Sequence, residues 1–145
     1  MKILKHVIAF VAGLFAMQVL VMGVQTIGHK IWAPAEGCAY SLDSMFNPDS
    51  MEACMAALPA YIETAPFGAL LFPFISYFFA SMGAGLVAAK LAPSHGLRYV
   101  WTFAILTLLG GVVTMTSLPM PAWAWVAGIV APIAGAWVAK NRLAG

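Results

Sequence analysis

Residues 66–89 read PFGALLFPFISYFFASMGAGLVAA and contain no charged side chain. A helix needs about 20 residues to cross the hydrocarbon layer of a membrane, so this run is long enough to span it. Its apolar residues are continuous, which favours a helix over a membrane strand, where apolar and polar residues alternate. Three other runs are similar, and the sequence therefore predicts four spans, at about 7–28, 66–89, 99–118 and 121–139.

The composition of the whole chain agrees with this prediction. Of 145 residues, 63% are hydrophobic and 8% are charged, against roughly half and a quarter in soluble domains. These values exclude a water-soluble globular domain, a disordered chain and a coiled coil. Nearly all residues belong to spans or to the loops that join them. We therefore expect one domain over 1–145, an all-α polytopic membrane protein whose four helices form an antiparallel bundle.

The basic residues indicate an orientation in the membrane. Six of the seven Lys and Arg residues lie at the termini or between the second and third spans, and only Lys30 lies on the other side. The positive-inside rule then predicts cytoplasmic termini and an outer loop at 30–65. All five acidic residues lie in that loop. We expect a bacterial inner membrane protein with a periplasmic or extracellular loop. The six cytoplasmic basic residues are Lys2, Lys5, Lys90, Arg98, Lys140 and Arg142.

The outer loop contains the signals of a short amphipathic helix. Asn47 is a typical N-cap and Pro48 suits the first helical position. We expect this helix to end before Pro59 and to lie along the membrane surface or cap the bundle. Its predicted protein-facing residues follow at i, i+3, i+4 and i+7: Met51, Cys54, Met55 and Leu58.

The two cysteines of the chain, Cys38 and Cys54, lie in the same outer loop. On an oxidising face of the membrane this placement predicts a disulfide. Its role is expected to be structural, since closing a loop of this size contributes on the order of 3 kcal/mol. A redox-active pair is the alternative, but the Cys-x-x-Cys spacing is missing. Two thiols without a nearby pair of histidines do not fill a zinc site, so we expect no metal and no cofactor.

Small residues at four-residue spacing predict close packing between helices. We expect these stripes to face inward within one chain, although each could instead mediate self-association. The stripe on the second span is Ser81, Gly85 and Ala89, and the stripe on the fourth is Ala127, Ala131, Gly135 and Ala139.

Two prolines within spans, Pro73 and Pro132, are expected to kink their helices. If the two kinks face each other, they open a small cavity toward the outer side. His29 has an alternative interpretation, as an interfacial histidine beside Lys30. The polar side chains available to this cavity are Gln18, Gln25, His29, Ser76, Tyr77, Thr114 and Ser117.

The sequence offers no catalytic residue that we can name. Proton-coupled carriers generally need ionisable groups at membrane depth, and no Asp, Glu, Lys or Arg lies in the middle of a span. The expected partners are the lipid bilayer and either a membrane protein or further copies of the chain, and not nucleic acid. The leading interpretation is a non-catalytic accessory or scaffold subunit. The alternatives are an oligomeric channel or carrier for a neutral or apolar molecule, and a lipid-modifying or redox enzyme.

Overall fold

The computed structural model describes residues 1–35, 37–38 and 47–145, and within them the chain is all α-helical. Four of the helices are long and apolar enough to cross a membrane. The predicted all-α, four-helix membrane fold is confirmed. The helices are α1 (Lys2–Ile31), α2 (Pro48–Thr64), α3 (Phe67–Leu91), α4 (Gly96–Thr116) and α5 (Ala122–Ala144), with a 3₁₀ turn at Pro93–His95.

The long helices extend beyond the predicted spans at most of their ends. The first span, predicted at about 7–28, lies within α1, and the fourth, predicted at about 121–139, ends five residues before α5 does. Hydropathy detects only the apolar part of a helix, whereas backbone hydrogen bonding continues into polar flanks. The third span is shifted instead, because α4 begins at Gly96 and ends at Thr116.

Successive long helices run in opposite directions. The Nδ1 atom of His6 lies 2.9 Å from the Tyr99 hydroxyl, so α1 and α4 begin at the same end of the bundle. The rings of Phe67 and Trp123 lie 4.7 Å apart, so α3 and α5 both begin at the other end. We call this second end, where α2 lies, the α2 end, and the first the terminal end, because it contains both chain termini.

Helix α3 is the centre of the bundle and packs against α1, α4 and α5. Ser81, Gly85 and Ala89 on α3 are buried, as are Gly135 and Ala139 on α5. The Ser81 hydroxyl donates a 2.8 Å hydrogen bond to the carbonyl of Pro132 on α5. The other two residues of the predicted small-residue stripe on α5, Ala127 and Ala131, are partly buried and pack against the cluster around Phe74 and Met115.

Helix α2 begins as predicted but ends later. The side chain of Asn47 accepts a 3.1 Å hydrogen bond from the Asp49 amide. The prediction that this helix ends before Pro59 is wrong, because it continues to Thr64. The last turn is held from outside the helix, since Ile62 is buried and the Tyr61 hydroxyl hydrogen-bonds to the linker after α1. These contacts outweigh the backbone hydrogen bond that Pro59 removes.

The protein-facing side of α2 also differs from the prediction. Cys54 and Leu58 face the bundle, but Met51 and Met55 are 57% and 43% exposed. The inward face continues through residues 61 and 62 instead, which follow Leu58 by three and four positions. A contact face that begins at Cys54 therefore extends toward the C-terminal end of the helix.

Candidate functional site: a cavity at the α2 end

A cavity of about 250 Å³ lies at the α2 end of the bundle. Its walls come from residues 21–29 of α1, 69–77 of α3 and 114–120 at the C-terminal end of α4 and just beyond it, and its roof comes from α2 and the linker after α1. No residue of α5 lines it. The cavity therefore lies between α1, α3 and α4 and is confined to one half of the bundle.

The cavity lies beyond a region, toward the terminal end, where α1 and α4 contact each other. There the rings of Phe10 and Phe103 lie 5.6 Å apart, and Gly13 lies against the same Phe103 ring. A further contact joins the Thr107 hydroxyl and the Met17 sulfur, at 3.6 Å. Beyond it, the facing residues of α1 and α4 line the cavity.

The floor of the cavity is packed. Phe74 and Met115, which line it, are 3% and 2% exposed and pack together with Ala124 of α5. Tyr77 lies against Gly111, where an added Cβ would be 3.1 Å from the Tyr77 ring. Toward the terminal end, Phe103 is fully buried. The cavity is therefore a pocket and not a path through the chain.

The roof is fixed to the bundle at several points. The Tyr61 hydroxyl of α2 donates a 2.9 Å hydrogen bond to the carbonyl of Ala33. The Trp32 ring packs edge-on against Phe72 of α3, with ring centroids 5.4 Å apart. Near these contacts, Gly28 lets α1 approach the Phe72 ring closely. These contacts hold the linker and the last turns of α2 over the cavity.

Cys38 and Cys54 join the linker to α2. Their sulfur atoms are within disulfide-bonding distance, and their α-carbons are 4.7 Å apart. The neighbouring Gly37 has a φ of 78°, in the left-handed region that favours glycine. Both cysteines line the cavity. The predicted pair is therefore brought together in the roof; most of the segment between them, 39–46, lies outside the described residues.

Four of the predicted polar residues line the cavity: Gln25, His29, Tyr77 and Thr114. Gln25 is 9% exposed. Its carboxamide makes no hydrogen bond with any residue that the structure describes, so its donors and acceptor are available to the cavity. Thr114 is exposed at the surface of α4 and its hydroxyl donates to the Gly110 carbonyl at 3.0 Å.

The other three polar candidates lie outside the cavity. Ser76 is buried and donates a 2.6 Å hydrogen bond to the carbonyl of Pro73. Ser117 is exposed and donates to the carbonyl of Val113 at 3.0 Å. Both hydroxyls thus stabilise the backbone of their own helix, as serine often does in membrane helices.

Gln18 is exposed, which corrects the expectation that it points into the bundle with Gln25 and His29. In the terminal half of α1 the packed residues are Ala9 and Gly13. At 3.6 residues per turn, Gln18 lies about 180° around the helix from Ala9. Gln18 and Gln25 are seven residues apart and lie on the same face of α1. The face of α1 that packs against the bundle differs, however, between the terminal half and the α2 half.

The two prolines are not in a common cavity. Pro73 lines the cavity, whereas Pro132 is fully buried at the interface between α3 and α5. There its carbonyl accepts the hydrogen bond from Ser81. The idea that facing prolines open the cavity is therefore corrected: the opening comes from the separation of α1 and α4.

Sequence reasoning identified Cys54 and Leu58 as protein-facing but missed the roof residues Tyr61 and Ile62. The four residues follow at i, i+4, i+7 and i+8, which is one helical face. Extending that pattern past Pro59 would have identified Tyr61 and Ile62. The described residues contain no group of three His, Cys, Asp or Glu side chains placed to hold a metal ion. The arrangement offers neutral hydrogen-bonding groups in an apolar pocket, which is suited to binding.

These features define the chain as a small multi-pass α-helical membrane protein with a pocket at one end of its bundle. Comparison with protein-family models, with curated proteins and with solved structures found no match.

Proposed function

We propose that this protein binds a neutral, mostly apolar molecule in the cavity at the α2 end. The observation that carries the proposal is Gln25, a side chain 9% exposed that lines an otherwise largely apolar cavity and makes no hydrogen bond with a described residue. Among the described residues no fully enclosed side-chain nitrogen or oxygen lacks a hydrogen-bond partner, so the polar atoms of Gln25 are accessible from the cavity. A ligand in the cavity can hydrogen-bond to this amide, and a typical hydrogen bond contributes about 0.5–1.5 kcal/mol.

Binding is favoured over conduction by the shape of the site. The cavity ends at the packed floor formed by Phe74, Tyr77 and Met115. A channel needs a continuous path, and this floor closes the cavity within a single chain. We therefore rank binding above conduction through a single chain.

The proposal is tested by displacement of an apolar fluorescent probe from the purified protein in lipid nanodiscs. Gln25→Leu keeps the size of the side chain but removes its hydrogen-bonding groups, and is expected to weaken the binding of a neutral polar-headed ligand about fivefold. Gln18→Leu is the matched control, because Gln18 is exposed on the same helix. Equal affinity in both variants and the parent would contradict the proposal.

We place the protein in a bacterial inner membrane with both termini in the cytoplasm and the 30–65 loop outside. The distribution of Lys and Arg supports this orientation. The cysteine pair in the roof supports an oxidising side for the loop. In a variant without the native cysteines, a membrane-impermeant maleimide applied to intact cells is expected to label Ser50→Cys and not Ser94→Cys. The reverse pattern would contradict the orientation.

A second candidate function is that of an accessory subunit, and helix α1 favours it. In its most apolar window only 11% of α1 is buried, against 33% in each of the other three spans. Phe15 and Val19 are 71% and 51% exposed on this surface. The occupant we propose is a transmembrane helix of a partner protein. Native mass spectrometry after mild extraction is expected to show a stoichiometric partner that Phe15→Ala weakens, and a lipid-bound monomer would contradict this function.

A further inference from the structure

The cavity reaches the surface of the bundle between α1 and α4. Thr114 lines the cavity and is also exposed on α4, within the part of the chain expected to lie in the membrane. One turn away, Gly110 lies on the same helical face as Thr107 and Thr114. A Cβ built at Gly110 has no atom within 4 Å. Beyond the contact between Thr107 and Met17, α4 therefore has open space at Gly110 and an exposed Thr114 beside the cavity, and we call this opening the gap between α1 and α4.

The roof makes this gap the natural entrance. On the α2 side, the cavity is covered by α2 and by the linker, which are joined through Cys38 and Cys54 and through the hydrogen bond from Tyr61 to Ala33. The gap, in contrast, is flanked by apolar surface. Leu109 and Val113, beside it on α4, are 56% and 65% exposed. A molecule dissolved in the bilayer can reach the cavity without crossing water.

The size of the cavity limits what it can enclose. At about 250 Å³ it lies just below the range of roughly 300–1,000 Å³ that is usual for small-molecule pockets. It can hold a small head group but not a whole two-chain lipid. A long chain attached to that head would have to leave the cavity, and the gap between α1 and α4 offers an apolar exit.

The polar groups define the chemistry of the head. The polar side chains that line the cavity are Gln25, His29, Tyr77 and Thr114, on three helices. None of the described residues that line the cavity is Asp, Glu, Lys or Arg. Placing a charged head there would leave that charge without a countercharge among these residues, at a considerable desolvation cost. A head with hydroxyl and ester carbonyl groups can exchange hydrogen bonds with the amide of Gln25 instead.

From these observations we infer that the ligand is a bilayer lipid with a small uncharged head of the glycerol ester type, which enters sideways between α1 and α4. The head occupies the cavity beside Gln25, and the acyl chains extend through the gap past Gly110 into the bilayer. This inference rests on the proposed function, because it names the ligand class and the route of entry for the same cavity.

The experiment uses a diacylglycerol with a photoreactive diazirine in one acyl chain, incorporated into nanodiscs that contain the protein. After illumination, mass spectrometry maps the labelled peptides. Labels are expected to concentrate on the facing stretches 17–25 of α1 and 110–116 of α4. A phosphatidylcholine with the same diazirine is expected to label the lipid-facing surface without this concentration.

Glycine variants test the route. Gly110→Leu fills the gap and is expected to reduce diacylglycerol labelling of the facing stretches about fivefold or more. Gly23→Leu is the matched control, because a Cβ at Gly23 also has no atom within 4 Å, but this residue lies away from the gap. Thr114→Phe narrows the same opening one turn further along, and Ile105→Phe is its control, because Ile105 is 55% exposed on α4 and lies about 180° around the helix from Thr114. Thermal melting verifies that each variant is folded.

The outcomes distinguish this inference from the proposed function. If the phosphatidylcholine probe labels the facing stretches as strongly as the diacylglycerol probe does, the inference that the cavity selects an uncharged head is wrong. Suppose that Gln25→Leu weakens binding, but the diacylglycerol probe labels Gly110→Leu and Thr114→Phe in the same way as the parent. Then the lateral route is wrong and the proposed function stands. If neither Gln25→Leu nor the gap variants change binding or labelling, both the inference and the proposed function fail.

Discussion

Replacement of Gly135 by alanine tests the packing that holds the bundle together. On α5, an added Cβ at this position would press against the carbonyl oxygen of Phe78 on α3 and lie 3.2 Å from the Met82 amide nitrogen. Both obstacles are backbone atoms, which cannot move aside like the end of a flexible side chain. The two helices would have to separate, at the cost of neighbouring contacts such as the hydrogen bond between Ser81 and Pro132.

The expected loss of stability in Gly135→Ala is estimated by comparison with a glycine that has free space around it. Gly23→Ala adds the same methyl group to a helix, but no atom lies within 4 Å of it. Any change in helix propensity is therefore largely shared by the two variants. The difference between them isolates the steric term, and we expect Gly135→Ala to be less stable by about 1–3 kcal/mol, the usual cost of overpacking.

The assay is reversible unfolding in mixed micelles, with increasing fractions of sodium dodecyl sulfate and intrinsic tryptophan fluorescence as the signal. Both variants and the parent are measured under identical conditions, and the midpoint and slope give the free energy of unfolding. If Gly135→Ala is as stable as Gly23→Ala, then the close approach of α3 and α5 at this point is not what stabilises the bundle.

Three further predictions concern the roof and the centre of the bundle. Reduction of the bond between Cys38 and Cys54 is expected to lower the free energy of unfolding by about 3 kcal/mol; a melting temperature unaffected by dithiothreitol would argue against a structural staple. Gly37→Ala forces an L-residue to a φ of 78° and is expected to lower stability by about 1–2 kcal/mol in the same titration, whereas an unchanged midpoint would refute this strain. Ser81→Ala removes a hydrogen bond to Pro132 and is expected to lower stability by about 0.6 kcal/mol, with no change as the contradicting result.

The fold was predictable from the sequence because hydropathy along the chain directly reflects the membrane environment. The run at 66–89 corresponds to α3 within two residues at each end. The start of α2 was also predictable, since Asn47 and Pro48 act through local backbone chemistry. Such signals depend on neighbours in sequence and need no knowledge of the packed structure.

The cavity was only partly predictable, because it depends on how α1 is placed against the other helices. Gln25 and His29 were identified as polar residues on one face, but the same reasoning included Gln18, which is exposed. A continuously apolar helix in a bilayer carries little information about which side faces protein. The change of packing face along α1 becomes visible only when the positions of α3 and α4 are known.

The end of α2 illustrates the same limit. Pro59 is a helix-terminating signal by local chemistry, yet α2 continues to Thr64 because Tyr61 and Ile62 contact the linker and the bundle. These contacts join parts of the chain that are distant in sequence. A single sequence without knowledge of the packed structure cannot weigh them against the proline.

The most direct test of the account is an NMR measurement of what lies next to the side-chain amide of Gln25. The protein is prepared with nitrogen-15 in nanodiscs that contain protonated diacylglycerol in a perdeuterated phospholipid. We expect nuclear Overhauser effects from the Gln25 amide protons to the glycerol protons of the diacylglycerol, and none to these protons from Gln18. Cross-peaks from Gln25 to water alone would contradict binding of the lipid head beside Gln25.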